Sequence, residues 1–195
     1  MLEEFEENPY LPLFYEEMKK NGPKAYNKYC FPSQMLFLKV RVGREDKCKS
    51  NVGTYIIDRS MFEDRFIFAE NSFQNGLLSE KEFEEYNQFF EQLLEETQPF
   101  DISIYLRAKV DTLVERIKKR GREMESQIDR GYLETLDSLY ENKFLPSLKQ
   151  FNQGGAIFVY DVDDCCEEEL AGRVFADIEA EMLRRAKDKV VEDSG

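Results

Sequence analysis

Three short apolar runs, separated by longer amphipathic stretches, constrain the fold more than any other feature of this sequence. The runs are VGTYIIDR (52–59), ISIYLRA (102–108) and AIFVYDV (156–162), and each is typical of a β-strand. Helical periodicity covers about 24–47, 61–75, 79–96, 110–120, 130–151 and 167–189, with a capping box Ser79–x–x–Glu82 opening the third helix. Strands separated by crossover helices predict an α/β fold, with a mostly parallel sheet wrapped by helices.

The length of 195 residues fits a single domain over 1–190, followed by a polar tail at 191–195. No apolar stretch reaches the length of a membrane span and no signal-peptide pattern opens the chain, so the sequence predicts a soluble protein. The four cysteines lack the spacing of metal ligands, and the chain contains no histidine. Zinc sites and histidine-based triads are therefore excluded, and a reduced intracellular compartment is expected.

Charge separates one segment from the rest of the chain. Forty acidic residues against twenty-seven basic ones give a formal net charge of −13, which argues against a nucleic-acid or anionic-membrane binder. The exception is VERIKKRGREMES (114–126), where five cations fall between 116 and 122. Lys118 and Lys119 suit a helix C-terminus, but Arg116 and Arg120 repel each other at i, i+4 unless an anion binds between them. Together with Arg122 they predict a phosphate site.

A second polar group follows the first strand pattern directly. Asp58, Arg59 and Ser60 come immediately after the apolar run TYII. Parallel sheets bind ligands beyond the carboxyl ends of their strands, so this triplet is a candidate site. An ordinary loop after a strand is the alternative interpretation.

Five collinear stretches carry a family resemblance. They are LEEFEENPYLPLFYE, FPSQMLFLKVR, DRSMFEDRFIFAEN, YLRAKVDTLVERIKKRGRE and GYLETLDSLYE, and they run in order from Leu2 to about Glu169. Together they resemble the deoxynucleoside kinase family, especially its deoxyadenosine and deoxyguanosine kinase branch. The resemblance implies a P-loop NTPase-like fold with a five-stranded parallel sheet, and a homodimer. It also implies phosphate transfer from ATP to the 5′-hydroxyl of a deoxynucleoside, in nucleotide salvage.

The resemblance assigns catalytic roles by position. Glu3 matches the carboxylate that takes the 5′-hydroxyl proton, and Asp58 matches the acid that organises Mg²⁺. Arg59 matches a cation beside the reacting oxygens, while Arg116, Arg120 and Arg122 match the lid arginines that neutralise developing charge. By composition alone, Glu3 is one more solvated acid in an acidic segment.

Further matches concern the deoxynucleoside and the donor. They comprise groups that hold the sugar 3′-hydroxyl (Tyr15, Glu125), an amide and a ring that read and stack on the base (Gln34, Phe68), the base-pocket pair (Arg41, Asp64) and the loop against the adenine of ATP (Asp163, Asp164). Phe68 could instead belong to the core, Tyr15 to an amphipathic helix, and Gln34 and Glu125 to the solvated surface. Arg41 could instead bridge to Glu45. Because an aspartate accepts from an exocyclic amine, adenine and cytosine are favoured over thymine.

One departure from the family pattern is large. No GxxxxGK[ST] phosphate loop occurs in the chain, and the family's central first strand also lies before the segment that begins here. The preferred interpretation is therefore an N-terminally incomplete deoxynucleoside kinase, expected to transfer phosphate poorly as written. The alternative is a non-catalytic relative that binds nucleosides or a protein partner. A cytoplasmic location is expected, or a mitochondrial one if a targeting segment precedes Met1.

Overall fold

The computed structural model describes residues 8–49, 53–121, 128, 130–152 and 154–192. We number the elements in chain order, and two long helices each consist of three consecutive segments. The elements are α1 Tyr10–Asn21, α2 Cys30–Lys49, α3 (Met61–Glu63, Asp64–Ala69 and Glu70–Gln74), α4 Glu80–Glu96, β1 Ile102–Arg107, α5 Val110–Arg120, α6 (Arg130–Leu139, Tyr140–Phe144 and Leu145–Phe151), β2 Ala156–Asp161 and α7 Glu167–Glu192. The middle segments of α3 and α6 are π-helical.

Most of the predicted elements are confirmed. Both later strands lie where the apolar runs placed them, and the capping box opens α4, since Ser79 N–H donates to Glu82 Oε2 at 2.9 Å. The helix expected from about residue 24 begins at Cys30, because the chain first turns through Gly22, which has φ of 92°, and through Asn27, whose carbonyl accepts from Cys30 N–H. Helix α1 lies outside the predicted helical stretches, although the alternative interpretation of Tyr15 placed that residue in an amphipathic helix.

The strand predicted at 52–59 is wrong for the residues that the structure describes there. Residues 53–60 form no strand, and the side chain of Ile56 in the middle of the run is 90% exposed. A strand needs hydrogen bonds to a neighbouring strand, and the described part of its own compact unit contains none. The apolar run therefore stays an extended loop that leads into α3.

The chain divides into two compact units, the first comprising Met1–Gln98 and Glu134–Leu148. The described part of this unit is helical, and the π-helical segment of α3 packs against α2, α4 and the π-helical segment of α6. Rings of Phe62, Phe66 and Phe90 pack between α3 and α4 with centroids 5.7–6.1 Å apart. This packing fixes α3, which carries most of the candidate site.

The second unit comprises Pro99–Leu133 and Lys149–Gly195. It contains the parallel pair of β1 and β2, in register from Ile102 opposite Ala156 to Arg107 opposite Asp161. Its small core consists of the buried residues Ala108, Tyr160 and Val162, with Leu113, Phe158, Leu170 and Val174 against them. The α/β class and the parallel sheet are thus confirmed, and the single domain over 1–190 stays a prediction.

Among the residues that the structure describes, no helix combines the length and the apolar character that a bilayer crossing requires.

Candidate functional site

Polar groups from α2, from α3 and from the loop before α3 meet in the first unit. The Arg41 guanidinium lies between them, with Nε donating to Asp64 Oδ2 at 3.2 Å and Nη2 donating to Asp64 Oδ1 at 3.4 Å. Its Nη1 also donates to the backbone carbonyl of Asp58 at 3.0 Å. Side chains of Arg41 and Asp64 are each 3% exposed. One buried arginine therefore joins two of the predicted site positions.

The start of α3 is held by a capping box that the sequence analysis missed. The Ser60 hydroxyl donates to Glu63 Oε2 at 2.5 Å, and Ser60 N–H donates to the same oxygen at 2.8 Å. The Ser60 hydroxyl oxygen in turn accepts from Phe62 N–H. The pattern Ser60–x–x–Glu63 was readable in the sequence, just as Ser79–x–x–Glu82 was. This cap fixes the direction in which Asp64 enters the site.

The π-helical segment Asp64–Ala69 carries both Asp64 and Phe68. Such a segment is usually less stable than an α-helix and is common at functional sites, because it changes the direction of side chains within a helix. Here it follows the capped first turn directly and packs against α2 and α4. One short segment thus carries both the buried Asp64 carboxylate and the Phe68 ring.

Burial dominates the ionisation of the two carboxyls. It raises the pKa of Asp64 from 3.8 to about 6, although the charge and hydrogen bonds of Arg41 oppose the shift. The negative Glu63 adds a smaller increase and Arg59 a smaller decrease. Burial also raises the pKa of Glu63, against the hydrogen bonds from Ser60. A carboxyl whose pKa is raised by burial beside a charged partner marks a candidate functional site.

Arg59 has a strained backbone beside this pair. Its φ is 65°, a left-handed conformation that non-glycine residues seldom adopt, and such outliers cluster at ligand-binding sites. The side chain is exposed, and its guanidinium carbon lies 5.2 Å from the centroid of the Phe68 ring. The predicted base-stacking ring and the predicted phosphate-side cation are therefore in contact.

Gln34 lies on α2, and its Nε2 is 3.5 Å from Ser72 Oγ on α3, at the limit of a hydrogen bond. Its Oε1 is buried and accepts no hydrogen bond from the residues that the structure describes. Buried amide oxygens usually accept a hydrogen bond. The Gln34 oxygen is therefore a candidate acceptor for a donor on a ligand. Tyr15 on α1 is 42% exposed, and its ring packs edge-on against Phe14.

In the second unit, Asp163 caps the N-terminus of α5. Its Oδ1 accepts from Lys109 N–H at 2.8 Å and from the Thr112 hydroxyl at 2.6 Å. These hydrogen bonds lower the pKa of Asp163, and the positive Lys109 and Arg116 lower it further. Asp164 is exposed. The Asp163 carboxylate thus already binds the first turn of α5. The predicted contact of both aspartates with an adenine stays a prediction.

The cationic segment ends α5 as predicted. Gly121 closes the helix with φ of 63°, and its N–H donates to the carbonyl of Ile117 at 3.1 Å. Arg116 and Arg120 are exposed, and Arg116 donates through Nη2 to the carbonyl of Val162. That hydrogen bond gives Arg116 a partner within its own unit.

Three predicted site residues, Glu3, Arg122 and Glu125, lie outside the described residues. Within the described part, no group of three or more acidic or cysteine side chains could hold a metal ion by itself. Asp58 is nevertheless exposed. A magnesium ion commonly takes one or two protein carboxylates and completes its shell with phosphate oxygens and water. The donor set at Asp58 therefore fits magnesium bound together with a phosphate, and not a cation held by the protein alone.

Comparison with known proteins identifies the class to which this arrangement belongs. The family model described as deoxynucleoside kinase matches residues 1–184. The chain therefore belongs to the deoxynucleoside kinase family, as the five collinear stretches indicated.

Particular relatives define the similarity further. The chain is 33% identical to the deoxyadenosine/deoxycytidine kinase of Bacillus subtilis, over 72% of this chain and 62% of the relative. It is 31% identical to the deoxyguanosine kinase of Dictyostelium discoideum, over 79% of this chain and 51% of the relative. The chain thus spans about half to three fifths of the length of these curated relatives.

A solved structure is similar in three dimensions. It is deoxyadenosine kinase from M. mycoides with bound dCTP, which shares 30% sequence identity with this chain at a TM-score of 0.66. The similarity covers 90% of this chain and 82% of that one. The α/β architecture is therefore the P-loop NTPase-like fold of the deoxynucleoside kinases.

Proposed function

We propose that this chain carries the nucleoside-binding part of an ATP-dependent deoxynucleoside kinase. The reaction is transfer of the γ-phosphate of ATP to the 5′-hydroxyl of a deoxynucleoside, in nucleotide salvage. The preferred substrates are deoxyadenosine or deoxyguanosine, followed by deoxycytidine. Support comes from the family match over 1–184 and from relatives named for these activities.

The observation that carries the proposal is the buried pair of Arg41 and Asp64, whose side chains are each 3% exposed. Removing two charges from water costs more than a single ion pair usually returns, so such a pair is weak evidence for stability and calls for another role. The carboxylate accepts from the exocyclic amine of adenine or cytosine, whereas the carbonyl of thymine offers it no donor. The pair is thus suited to read the edge of a base.

The neighbouring residues supply the other contacts of a bound nucleoside. The Phe68 ring stacks on the base, and the unsatisfied Oε1 of Gln34 accepts from its edge. Arg59 contacts Phe68 and has an exposed cationic end that suits the 5′ side of the sugar. In this proposal Tyr15 and Glu125 bind the 3′-hydroxyl, and Glu3 accepts the 5′-hydroxyl proton.

Phosphate chemistry is assigned to the remaining cations and to magnesium. Arg116, Arg120 and Arg122 neutralise the charge that develops on the transferred group. Asp58 would hold Mg²⁺, which supplies charge neutralisation when bound with the nucleotide. Asp163 keeps the loop after β2 fixed on α5, and Asp164 lies in the same loop, where the donor adenine is proposed to bind. The assembly proposed is a homodimer.

The test is binding of the four natural deoxynucleosides to purified chain by isothermal titration calorimetry at pH 8. We expect deoxyadenosine to bind more tightly than thymidine, and Asp64→Ala to reduce this difference. Asp188→Ala, which removes an exposed carboxylate from α7, is the matched control and should leave both affinities unchanged. Failure of all four nucleosides to bind would contradict the proposal. Formation of a nucleoside monophosphate with ATP and Mg²⁺ would identify a kinase, whereas its absence is expected of both alternatives, because the chain contains no GxxxxGK[ST] motif.

A further inference from the structure

An ion pair within α3 spans the π-helical segment that carries the candidate base site. Arg65 Nη1 donates to Glu70 Oε2 at 3.0 Å, and the two side chains are only 16% and 13% exposed. Arg65 is the second residue of the segment Asp64–Ala69, and Glu70 follows its last residue. The proposed function assigns no role to either side chain. The pair therefore bridges the turn that carries Asp64 and Phe68.

The spacing of the pair suits a π-helix better than an α-helix. Residues five apart in an α-helix lie about 140° apart around the axis, so their side chains do not share one face. A π-helix forms its hydrogen bonds between residues five apart, and this brings their side chains to the same side of the helix. The contact between Arg65 and Glu70 therefore favours the π-helical turn over a regular α-helical one.

Neighbouring helices hold both ends of the pair. The guanidinium carbon of Arg65 lies 4.7 Å from the centroid of the Phe83 ring on α4, and that ring stacks on Phe73 with centroids 4.2 Å apart. At the other end, Lys143 Nζ on the π-helical segment of α6 lies 4.0 Å from Glu70 Oε1. Contacts with α4 and α6 thus keep the two charged groups in place on α3.

We propose that Arg65 and Glu70 are positioning residues for the nucleobase site. Their ion pair holds residues 64–69 in the π-helical turn, and this turn sets the directions in which the Asp64 carboxylate and the Phe68 ring leave α3. A regular α-helix over the same residues would rotate Phe68 relative to Asp64 about the helix axis. The inference rests on the proposed function, because it takes Asp64 and Phe68 as the residues that contact the base.

The variant Glu70→Gln keeps the shape of the side chain and removes the negative charge of the pair. The affinity ratio of deoxyadenosine to thymidine at pH 8, measured by isothermal titration calorimetry, should fall by roughly two- to fivefold, because a misdirected Asp64 carboxylate forms a weaker hydrogen bond with the base. Amide hydrogen exchange of residues 64–69 in the unliganded chain should become faster. A general loss of stability would instead lower both affinities equally and leave their ratio unchanged.

Substitutions of Arg65 test the same pair from its other end. Arg65→Met removes the cation and should lower the ratio as Glu70→Gln does, whereas Arg65→Lys keeps a cation and should retain most of the ratio. The matched control is Lys81→Met, which breaks an exposed ion pair with Glu85 at 3.7 Å on α4. It should change neither the ratio nor the exchange of residues 64–69.

An unchanged ratio in both Glu70→Gln and Arg65→Met would overturn the inference, because the pair would then contribute to stability alone. A parent chain that binds no nucleoside would instead contradict the proposed function. In that case the exchange measurement decides the inference, and unchanged exchange of residues 64–69 in Glu70→Gln would overturn it.

Discussion

Two arginine–carboxylate clusters, one in each unit, have opposite ionisation behaviour. In the first unit Asp64 is buried with one arginine, and its pKa is raised to about 6. In the second unit Glu181 accepts from Arg184 at 2.7 and 2.8 Å and from Arg185 at 2.9 Å. Hydrogen bonding to Arg184 is the main cause that lowers the pKa of Glu181 to about 2, and Arg185 contributes further.

The clusters differ in the number of their arginines and in the exposure of those arginines, and less in the burial of their carboxyls, because Glu181 itself is only 9% exposed. The side chain of Arg184 is 57% exposed, whereas that of Arg41 is 3% exposed. Around Glu181, two arginines donate hydrogen bonds to the carboxylate, and these hydrogen bonds outweigh the effect of its burial on the pKa. In the interior, the loss of water outweighs what one arginine returns. Similar residue types thus form a hydrogen-bonded cluster on α7, in which the pKa of the carboxyl is lowered, and a buried pair between α2 and α3, in which it is raised.

The largest expected difference between the clusters comes from removing one arginine from each. Arg41→Met leaves the Asp64 carboxylate buried without its main cation, which should lower the free energy of unfolding by about 3–5 kcal/mol at pH 8. Arg184→Met should change it much less, because Arg184 is 57% exposed and Arg185 still donates to Glu181. Urea denaturation measures both values. Equal losses would show that burial does not distinguish the clusters.

The pH dependence of stability should have opposite signs in the two clusters. The pKa of Asp64 is raised on folding, so its contribution to stability is fully present below about pH 3.8 and is lost as pH rises through about 6. The loss amounts to about 3 kcal/mol. The pKa of Glu181 is lowered, so its contribution is present above about pH 4.5 and is lost as pH falls through about 2.

Unfolding free energies of the parent, Asp64→Asn and Glu181→Gln, measured across pH, test this pattern. The parent should lose stability as pH rises from 4 to 8, and Asp64→Asn should not show this loss. The parent should also lose stability as pH falls below 4, and Glu181→Gln should not show that loss. If Asp64→Asn follows the parent curve at a constant offset, the raised pKa of Asp64 is wrong.

Base discrimination should depend on the buried cluster alone. Asp64→Ala removes the acceptor for an exocyclic amine and leaves a neutral wall, so the affinity ratio of deoxyadenosine to thymidine should fall by about tenfold. Glu181→Ala should leave this ratio unchanged. Calorimetric titration of each variant with both nucleosides gives the ratio, and an unaltered ratio in Asp64→Ala would remove Asp64 from the base site.

The smallest expected effect compares the two capping boxes of the first unit. Ser60→Ala should cost about 1–2 kcal/mol of stability, because Ser60 is 9% exposed and positions the turn that carries Asp64. Ser79→Ala, at an exposed cap, should cost about 0.5–1 kcal/mol. Urea denaturation gives both values, and nucleoside affinity should fall for Ser60→Ala alone. Equal affinity losses would indicate that the Ser60 cap has no special connection to the site.

Local sequence patterns predicted much of the fold. Two apolar runs marked β1 and β2, and Ser79 with Glu82 marked the start of α4, because strands and capped helices have short-range signals. The strand prediction at 52–59 was wrong because a strand also needs a neighbouring strand to hydrogen-bond with, and sequence periodicity does not reveal whether one is present. The start of α2 was displaced by the turn at Asn27, where a hydrogen bond from Cys30 N–H begins the helix.

Sequence motifs named several candidate residues that the structure brings together, and the roles of these residues stay predictions. Asp58, Arg59, Arg41, Asp64 and Phe68 came from the resemblance, and the structure connects them through Arg41 and through the contact of Arg59 with Phe68. The π-helical segment Asp64–Ala69 had no such signal, since it depends on packing against α2 and α4.

In the proposed site, the ionised Asp64 carboxylate, paired with Arg41, reads the base of a deoxynucleoside. The most direct measurement is the dissociation constant of deoxyadenosine from the parent chain between pH 5 and pH 8. We predict tight binding at pH 8 and progressive loss as pH falls through about 6, the pKa of Asp64, because the protonated carboxyl no longer accepts from the amine. A dissociation constant that is the same at pH 5 and pH 8 would contradict the account.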